Sequence, residues 1–353
     1  MSFNVAIIGY GGMGSYHAKF LNDESHGLSR VAGVFDVRDE ARSGAAEAGF
    51  HLYASPEELY ADGGIDVVLI ATPNNFHAPY AKACLRSGKN VVSEKPVCMD
   101  AAELEGVLAV ARESGKFFTT HQNRRWDTDY LTMRSAVETG LIARPYVVES
   151  RVQSANGMIH GWRCFKEHGG GMVYDWGAHL IDQMLQFEPS ALVEVGAVLH
   201  MVIADEVDDA FTATFRFESG LEYRVNISMN CFISQPRWHV CSVDGSLIIP
   251  EWDGKGRIVK NAGEHVSEWT ETITYTAAGP TRSMAPRPTN TLKELAPPIV
   301  ARNCFETFYS NIAQAVRGEA EPLVAPAHML RAMRAIDMVF EADRQKQSVK
   351  CRL

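Results

Sequence analysis

The sequence predicts an α/β protein with an N-terminal doubly wound parallel sheet and a C-terminal α+β domain built on a large, mostly antiparallel open sheet. Over the first 120 residues, short apolar runs rich in β-branched residues alternate with helical stretches. A glycine-rich turn follows the first of these runs, and beyond residue 192 strand-like runs succeed one another with turn signals between them. The 353 residues suffice for two cores, which we place at residues 1–122 and 123–353.

The first domain is predicted to hold six short strands with helices between them. The strands are Val5–Gly9, Arg30–Phe35, a weak His51–Tyr53, Asp66–Ala71, Asn90–Ser93 and Phe117–Thr120. Helix-forming residues occupy Met13–Leu21, Asp39–Ala48, Pro56–Ala61, Ala78–Ser87 and Ala101–Ser114. The apolar character of the strands is typical of a parallel sheet that is covered on both faces.

The second domain is predicted to begin with a helix near Asp129–Thr139 and a strand near Tyr146–Gln153. Further strands are expected at Val193–Met201, Phe211–Phe217, Glu222–Met229, Trp238–Val243 and Ser246–Ile249, and helices near Arg302–Arg317 and Ala327–Arg344. The segment Gly279–Val300 carries five prolines and is interpreted as an arm or a lid.

Composition excludes several classes of function. The net charge of −9 repels nucleic-acid backbones and anionic membrane surfaces, and the apolar runs are too short for a membrane helix. Without a basic leader the chain is expected to be cytoplasmic. The seven cysteines form no C-x-x-C pair, so no metal site and no disulfide framework is predicted.

The run Gly9-Tyr10-Gly11-Gly12-Met13-Gly14 ends a predicted strand and opens a predicted helix. In that context G-x-G-x-x-G is typical of a Rossmann dinucleotide site, where backbone amides and the helix dipole hold a pyrophosphate. Asp36 closes the next strand, where a carboxylate binds the ribose hydroxyls and repels a 2′-phosphate. NAD is therefore favoured over NADP, although Arg38 offers a cation for a 2′-phosphate.

Two further strand ends carry polar residues. Thr72, Asn74 and His77 follow the fourth predicted strand, and Glu94-Lys95-Pro96 closes the fifth. Later, Asp175, His179 and Asp182 share the spacing of one helical face. Taken singly, these residues also fit a capped turn, a solvated lysine and a structural capping network.

Together, in this order, the glycine turn, the TPN-x-x-H run, the EKP run and the D-x-x-x-H helix resemble the Gfo/Idh/MocA oxidoreductases over nearly the whole chain. The resemblance implies that Lys95, Asp175 and His179 are the catalytic residues. It further implies that Asn74, His77 and Glu94 line the nicotinamide half of the cofactor pocket, and that Arg124, Trp162 and Arg163 meet the substrate. Trp176 departs from the smaller aliphatic residue often found at its position, which either narrows the site or packs the core.

The resemblance implies reversible oxidation of a secondary hydroxyl of a sugar, glycoside or cyclic polyol. His179 is expected to act as the base, Lys95 to stabilise the alkoxide and Asp175 to orient the histidine. Lys95 as the base remains open. Two other functions also remain open: an NAD-retaining glycosidase that works by oxidation, elimination and reduction, and a non-catalytic cofactor-sensing regulator. A homodimer or homotetramer is expected, because apolar residues are predicted on the open sheet face.

Overall fold

The computed structural model describes residues 2–25, 27–155, 160–261, 263, 271–282 and 291–353. The first part of the chain forms a parallel sheet from β1 (Phe3–Ile8), β2 (Ser29–Phe35), β3 (Val67–Ile70), β4 (Asn90–Ser93) and β5 (Phe118–Thr120). The strand order is β2-β1-β3-β4-β5. The helices between the strands are α1 (Gly12–Lys19), α2 (Asp39–Glu47), α3 (Pro56–Ala61), α4 (His77–Arg86) and α5 (Ala101–Ser114). The predicted doubly wound fold is confirmed.

Burial explains why these runs form strands of a covered sheet. All four residues of β3 are buried, as are three of the four in β4. One predicted strand is corrected: of His51–Tyr53, only Leu52 pairs, through an isolated bridge to Val34. The parallel sheet therefore has five strands rather than six.

The second part of the chain forms a nine-stranded sheet in the order β15-β12-β11-β10-β6-β9-β8-β7-β16. Its central strands are β6 (Pro145–Gln153), β7 (Leu192–His200), β8 (Ala210–Phe217), β9 (Glu222–Ser228), β10 (Trp238–Ser242) and β11 (Gly245–Ile249). The outer strands are β12 (Arg257–Asn261), β15 (Leu292–Leu295) and β16 (Val349–Lys350). Neighbouring strands are antiparallel except β6 and β9, which are parallel. The expected large, mostly antiparallel sheet is thus confirmed.

Helices cover one face of this sheet. They are α6 (Thr128–Glu138), α7 (Ala178–Phe187) and α9 (Pro326–Gln345), while α8 (Cys304–Val316) lies beside the turn that leads into α6. Within the segment expected to form an arm or a lid, β14 (Gly279–Arg282) pairs with β13 (Ile273–Thr276) as a separate hairpin, and β15 joins the sheet edge. Residues 283–290 of that segment lie outside the described part of the chain.

The opposite face of the large sheet carries many charged side chains, which corrects the expected apolar face, although Tyr146 on β6 and Val198 on β7 are also exposed. Glu149 accepts hydrogen bonds from Arg151 and Arg224, at 2.6 and 3.2 Å. Arg216 bridges Glu194 and Glu222 in the same way, at 2.6 and 3.1 Å. Alternation along β6 and β9 turns Val148, Val152, Val225 and Ile227 inward, which leaves the charged residues outward.

The last two helices return to the first domain. On α8, Tyr309 shares a hydrogen bond of 2.6 Å with Nδ1 of His17, on α1, and stacks on Phe20. Asp337 of α9 accepts a hydrogen bond from the backbone amide of Ala101, the first residue of α5. Among the described helices, none is long and apolar enough to cross a membrane.

Candidate active site

A cavity of about 690 Å³ opens at the carboxyl edge of the parallel sheet. Its walls come from the ends of β2, β1, β3 and β4, which meet at one edge because the strands are parallel. Trp162 and Arg163, from the second domain, close one side. The cavity therefore lies where open α/β sheets bind their ligands.

The glycine turn leaves room for a ligand at the N-terminus of α1. Gly9 has a φ of +94°, and a Cβ there would lie 2.6 Å from the carbonyl oxygen of Ala71. A Cβ on Gly14 would collide with the carbonyl of Gly9. At Gly12, by contrast, no described atom lies within 4 Å of an added Cβ, and Gly11 and Met13 also line the cavity. The open space beside free helical amides fits a pyrophosphate.

Asp36 and Arg38 form the end of the cavity at β2. Asp36 is buried, and one of its carboxylate oxygens accepts a hydrogen bond of 2.7 Å from the amide of Tyr10. The exposed Arg38 guanidinium folds back on the same carboxylate, at 3.1 and 3.2 Å. Burial acts to raise the pKa of Asp36, but the hydrogen bonds from Arg38 and Tyr10 hold it below its usual value. An ionised carboxylate is thus placed to accept hydrogen bonds from ribose hydroxyls.

The segment after β3 contributes Thr72 and Asn74 to the cavity wall. Asn74 donates a hydrogen bond of 2.7 Å to the carbonyl of Gly169, which ties the first domain to the second. His77 lies behind the wall and is fully buried, with its ring nitrogens 2.8 Å from the Pro96 carbonyl and 3.0 Å from that of Thr72. The predicted cofactor contact of His77 is therefore not a direct one in this structure, because the buried ring lies behind the wall and a neutral imidazole donates its single N–H to one of these two carbonyls.

Glu94 is buried at the end of β4 and lines the cavity. Its Oε1 lies 2.7 Å from Nε2 of His17 and 3.0 Å from Nδ1 of His121. Among the described residues, these three form the cluster whose side chains could together act as metal ligands. The two distances are those of hydrogen bonds, and they are shorter than the roughly 3.3 Å between ligands about 2.0 Å from one tetrahedral ion. We therefore interpret the cluster as a hydrogen-bond network.

The sequence analysis missed His17 and His121. No spacing connects them to Glu94, since they come from α1 and from the residue directly after β5. The usable signal was topological: His121 follows a parallel strand at the same carboxyl edge as Glu94. A polar residue at that position is a candidate for the site on the same argument that selected Asp36 and Lys95.

Lys95 lines the β4 end of the cavity and contacts Asp175, and its charge acts on the buried His179. Lys95 Nζ donates to Asp175 Oδ1 at 2.5 Å and to the Asp175 carbonyl at 3.1 Å. Burial, and then the positive charges of Lys95 and Arg124, lower the pKa of His179 well below its ordinary value. His179 is therefore a neutral imidazole at pH 7, and its buried Nδ1 has no hydrogen-bond partner among the described residues.

Asp175 does not orient His179, which corrects the expected role. Its carboxylate pairs with Lys95 and, at 3.4 Å, with Arg163. Residues Val173–Gly177 form a π-helical turn, with the Gly177 amide bonded to the Met172 carbonyl, so the spacing of a regular α-helix does not apply there. Asp182, which the spacing places on the same helical face as Asp175 and His179, pairs instead with Arg125 at 2.6 Å.

The residues predicted to meet the substrate lie among aromatic and cationic side chains. The Arg124 guanidinium lies over the rings of Trp176 and Trp252, at 4.3 and 5.1 Å from their centroids. Trp176 in turn packs edge-on against His179. Arg163 lies over Trp162 on the opposite wall. Trp176 therefore packs against His179, and Trp252, from the loop between β11 and β12, joins it and Arg124 as a neighbour that the sequence analysis missed.

Family models match most of the chain. The model for the oxidoreductase family with an NAD-binding Rossmann fold covers residues 3–122, and the model for the GFO/IDH/MocA C-terminal domain covers residues 130–248. The chain belongs to the Gfo/Idh/MocA oxidoreductase family. This confirms the resemblance, and the strands that form the cavity lie within the part of the chain that matches an NAD-binding Rossmann fold.

Relatives of this Gfo/Idh/MocA chain include enzymes and solved structures. It is 38% identical to an NAD-binding protein from Listeria innocua, with a TM-score of 0.91 over 99% of both chains. It is 24% identical to the scyllo-inositol 2-dehydrogenase (NADP(+)) IolW of Bacillus subtilis, over 99% of this chain and 96% of that one. Identity to the 1,5-anhydro-D-fructose reductase of Ensifer adhaerens is 30%, over 55% of this chain; the match spans only 60% of the reductase.

Proposed function

We propose that the protein is an NAD-dependent dehydrogenase that reversibly oxidises a secondary hydroxyl of a sugar, glycoside or cyclic polyol to a ketone. One observation carries the proposal. The cavity runs from an ionised carboxylate suited to ribose, at Asp36, to Lys95, which is bonded to Asp175 and whose charge acts on His179. A cation and a neutral imidazole at that end are what oxidation of an alcohol needs from the protein.

A bound nicotinamide supplies the hydride acceptor. The neutral imidazole of His179 accepts the proton that leaves the substrate hydroxyl, for which its lowered pKa keeps it available at pH 7. The Lys95 ammonium donates a hydrogen bond to the same oxygen and stabilises its developing negative charge. Asp175 holds Lys95 in place through the ion pair at 2.5 Å, and Asp175 is itself paired with Arg163 at 3.4 Å.

We assign NAD as the preferred cofactor. In support, Asp36 is ionised and buried at the place where a 2′-phosphate would have to sit. Arg38 supports the opposite preference, since its exposed guanidinium is free to turn outward, and IolW is named for NADP(+). In the structure the Arg38 guanidinium is held on Asp36 by two hydrogen bonds instead of facing the cavity alone, so we take the buried carboxylate as the selecting group.

The substrate class rests on the walls around His179. Trp176, Trp252 and Trp162 offer flat apolar faces, and Arg124 and Arg163 offer donors beside them. Such walls suit a ring that carries several hydroxyl groups, and the named relatives act on an inositol and an anhydrofructose. We further propose a cytoplasmic enzyme divided at residues 122 and 123. Assembly as a homodimer or homotetramer is proposed from the family membership alone, because the open sheet face carries many charged side chains.

A substrate screen tests this function. Purified protein is mixed with NAD+ and a panel of inositols, hexoses, uronates and glycosides, and the absorbance of NADH is followed. Oxidation of at least one sugar or polyol is the expected result. Release of an aglycone without added NAD would identify a glycosidase, and cofactor binding without turnover of any compound would identify a regulator.

A further inference from the structure

The Glu94 carboxylate is a buried charge that the proposed proton and hydride steps do not use. Both imidazoles face Oε1, while the amide of Lys95 donates to Oε2 at 3.2 Å. Tyr309 donates to the far nitrogen of His17, and Cys304 faces the far nitrogen of His121. Every contact is satisfied when each imidazole donates one N–H to the carboxylate and accepts at its other nitrogen.

This network keeps Glu94 ionised. Burial acts to raise the pKa of Glu94, but the hydrogen bonds from His121 and His17 outweigh it and hold the pKa well below the usual value. Burial lowers the pKa of His17, which therefore donates as a neutral ring. Within the described residues, Glu94 forms ion pairs with these two histidines and with no lysine or arginine side chain. Its negative charge consequently lacks a permanent counter-charge.

Strand order places that charge at one particular end of the cofactor site. Asp36 follows β2 and Glu94 follows β4, and the sheet order β2-β1-β3-β4 puts three strand spacings between them. At about 4.8 Å per spacing, the two carboxylates belong to strands roughly 14 Å apart, which is comparable to the span of an extended dinucleotide. With the adenosine ribose at Asp36, the nicotinamide occupies the end beside Glu94 and Lys95.

The two oxidation states of the cofactor differ in charge at that end. The oxidised nicotinamide ring carries one positive charge, and the reduced ring is neutral. Lys95, the residue after Glu94, brings a cation to this end, but it is paired with Asp175 at 2.5 Å. Because Glu94 is buried, water screens its field weakly.

We propose that the Glu94 carboxylate, bonded by His17 and His121, makes the site bind the oxidised cofactor more tightly relative to the reduced cofactor and so sets the redox poise of the bound nicotinamide. The inference rests on the proposed cofactor function. His17 and His121 are positioning residues, since they act through Glu94. The uncompensated carboxylate thereby favours release of reduced over oxidised cofactor.

The test compares dissociation constants for NAD+ and NADH by calorimetric titration. NAD+ and NADH share every group except the charged ring, so their ratio cancels any general damage to the pocket. In Glu94→Gln, which removes the charge and keeps the shape, the preference for NAD+ relative to NADH should fall about tenfold, equivalent to about 30 mV for this two-electron couple. Glu113→Gln, an exposed site on α5 with the same change of charge, should leave the ratio unaltered.

A second variant keeps the inference testable if Glu94→Gln does not fold. Glu94→Asp retains the charge but withdraws it by one methylene, so the ratio should fall only two- to threefold. If Glu94→Gln folds and binds NAD+ and NADH more weakly by the same factor, the inference is overturned. If only Glu94→Asp folds, an unchanged ratio of the two dissociation constants overturns it. A wild-type protein that bound neither cofactor would instead refute the proposed function.

Discussion

Replacing Asp36 by Asn should reverse the cofactor preference. The substitution keeps an oxygen that can accept from the Tyr10 amide, now 2.7 Å from the carboxylate, but removes the negative charge. It also releases the Arg38 guanidinium, which now lies 3.1 and 3.2 Å from Asp36. NAD+ thus loses its strongest ribose acceptor, and NADP+ loses a repulsive charge and gains an unpaired arginine.

The size of the change follows from these contacts. A hydrogen bond to a charged group contributes about 1.5–3 kcal/mol, so NAD+ should bind roughly 10- to 150-fold more weakly. Two unit charges about 4 Å apart interact by about 4 kcal/mol at an effective dielectric constant near 20. Relief of that repulsion, discounted for the open side of the pocket, should strengthen NADP+ binding by roughly 100-fold. The ratio of the two affinities should therefore change by about 10³ or more.

Fluorescence titration of the wild type and of Asp36→Asn with NAD+ and NADP+ measures this ratio. Asp39→Asn is the matched control, because it makes the same chemical change at an exposed residue at the start of α2. Tighter binding of NADP+ than NAD+ by the wild type would show that Arg38 dominates. A ratio that Asp36→Asn left unchanged would refute the role assigned to the carboxylate.

Four further predictions concern catalysis and assembly. His179→Ala should lower kcat by roughly two to four orders of magnitude and abolish the acidic limb of the pH–rate profile. In the wild type this limb should lie below pH 6.5, because the pKa of His179 is lowered. An intact limb with near wild-type turnover would make Lys95 the base. The double variant Lys95→Ala/His179→Ala should lower kcat by far less than the product of the two single effects. Asp175→Asn should lower kcat about tenfold and move the acidic limb to lower pH, because the substitution leaves the positive charge of Lys95 unpaired beside His179. An acidic limb displaced to higher pH would contradict that reasoning. Light scattering should report a dimer or tetramer, and a concentration-independent monomer of 39.0 kDa would refute assembly.

Local patterns predicted most of the fold. Helices α3 and α5 begin and end at the predicted residues, because a capping Ser55 or Asp100 marks each start. The sheet edge that holds Asp36 and Lys95 was also predictable, since parallel strands end at one side. The polarity of the outer face of the large sheet could not be predicted, because ion pairs such as Arg224–Glu149 join strands that are far apart in the chain.

The site was predicted less completely than the fold. The spacing of Asp175 and His179 suggested one helical face, but the π-helical turn at Val173–Gly177 changes the rotation per residue and directs the carboxylate to Lys95. The cluster around Glu94 required knowing which elements pack together, and no local pattern carries that information. Its histidines come from two elements separated by most of the first domain.

The return of α8 and α9 to the first domain has a consequence for synthesis on the ribosome. Tyr309 completes the packing around His17 and Phe20, and Thr119 of β5 donates to the Val324 carbonyl at 2.8 Å. The nucleotide-binding half therefore leaves the exit tunnel with an apolar edge that its own residues do not cover. Because domains generally fold as units from the N-terminus, that edge stays exposed, and open to misassembly, until Tyr309 and Val324 have been translated.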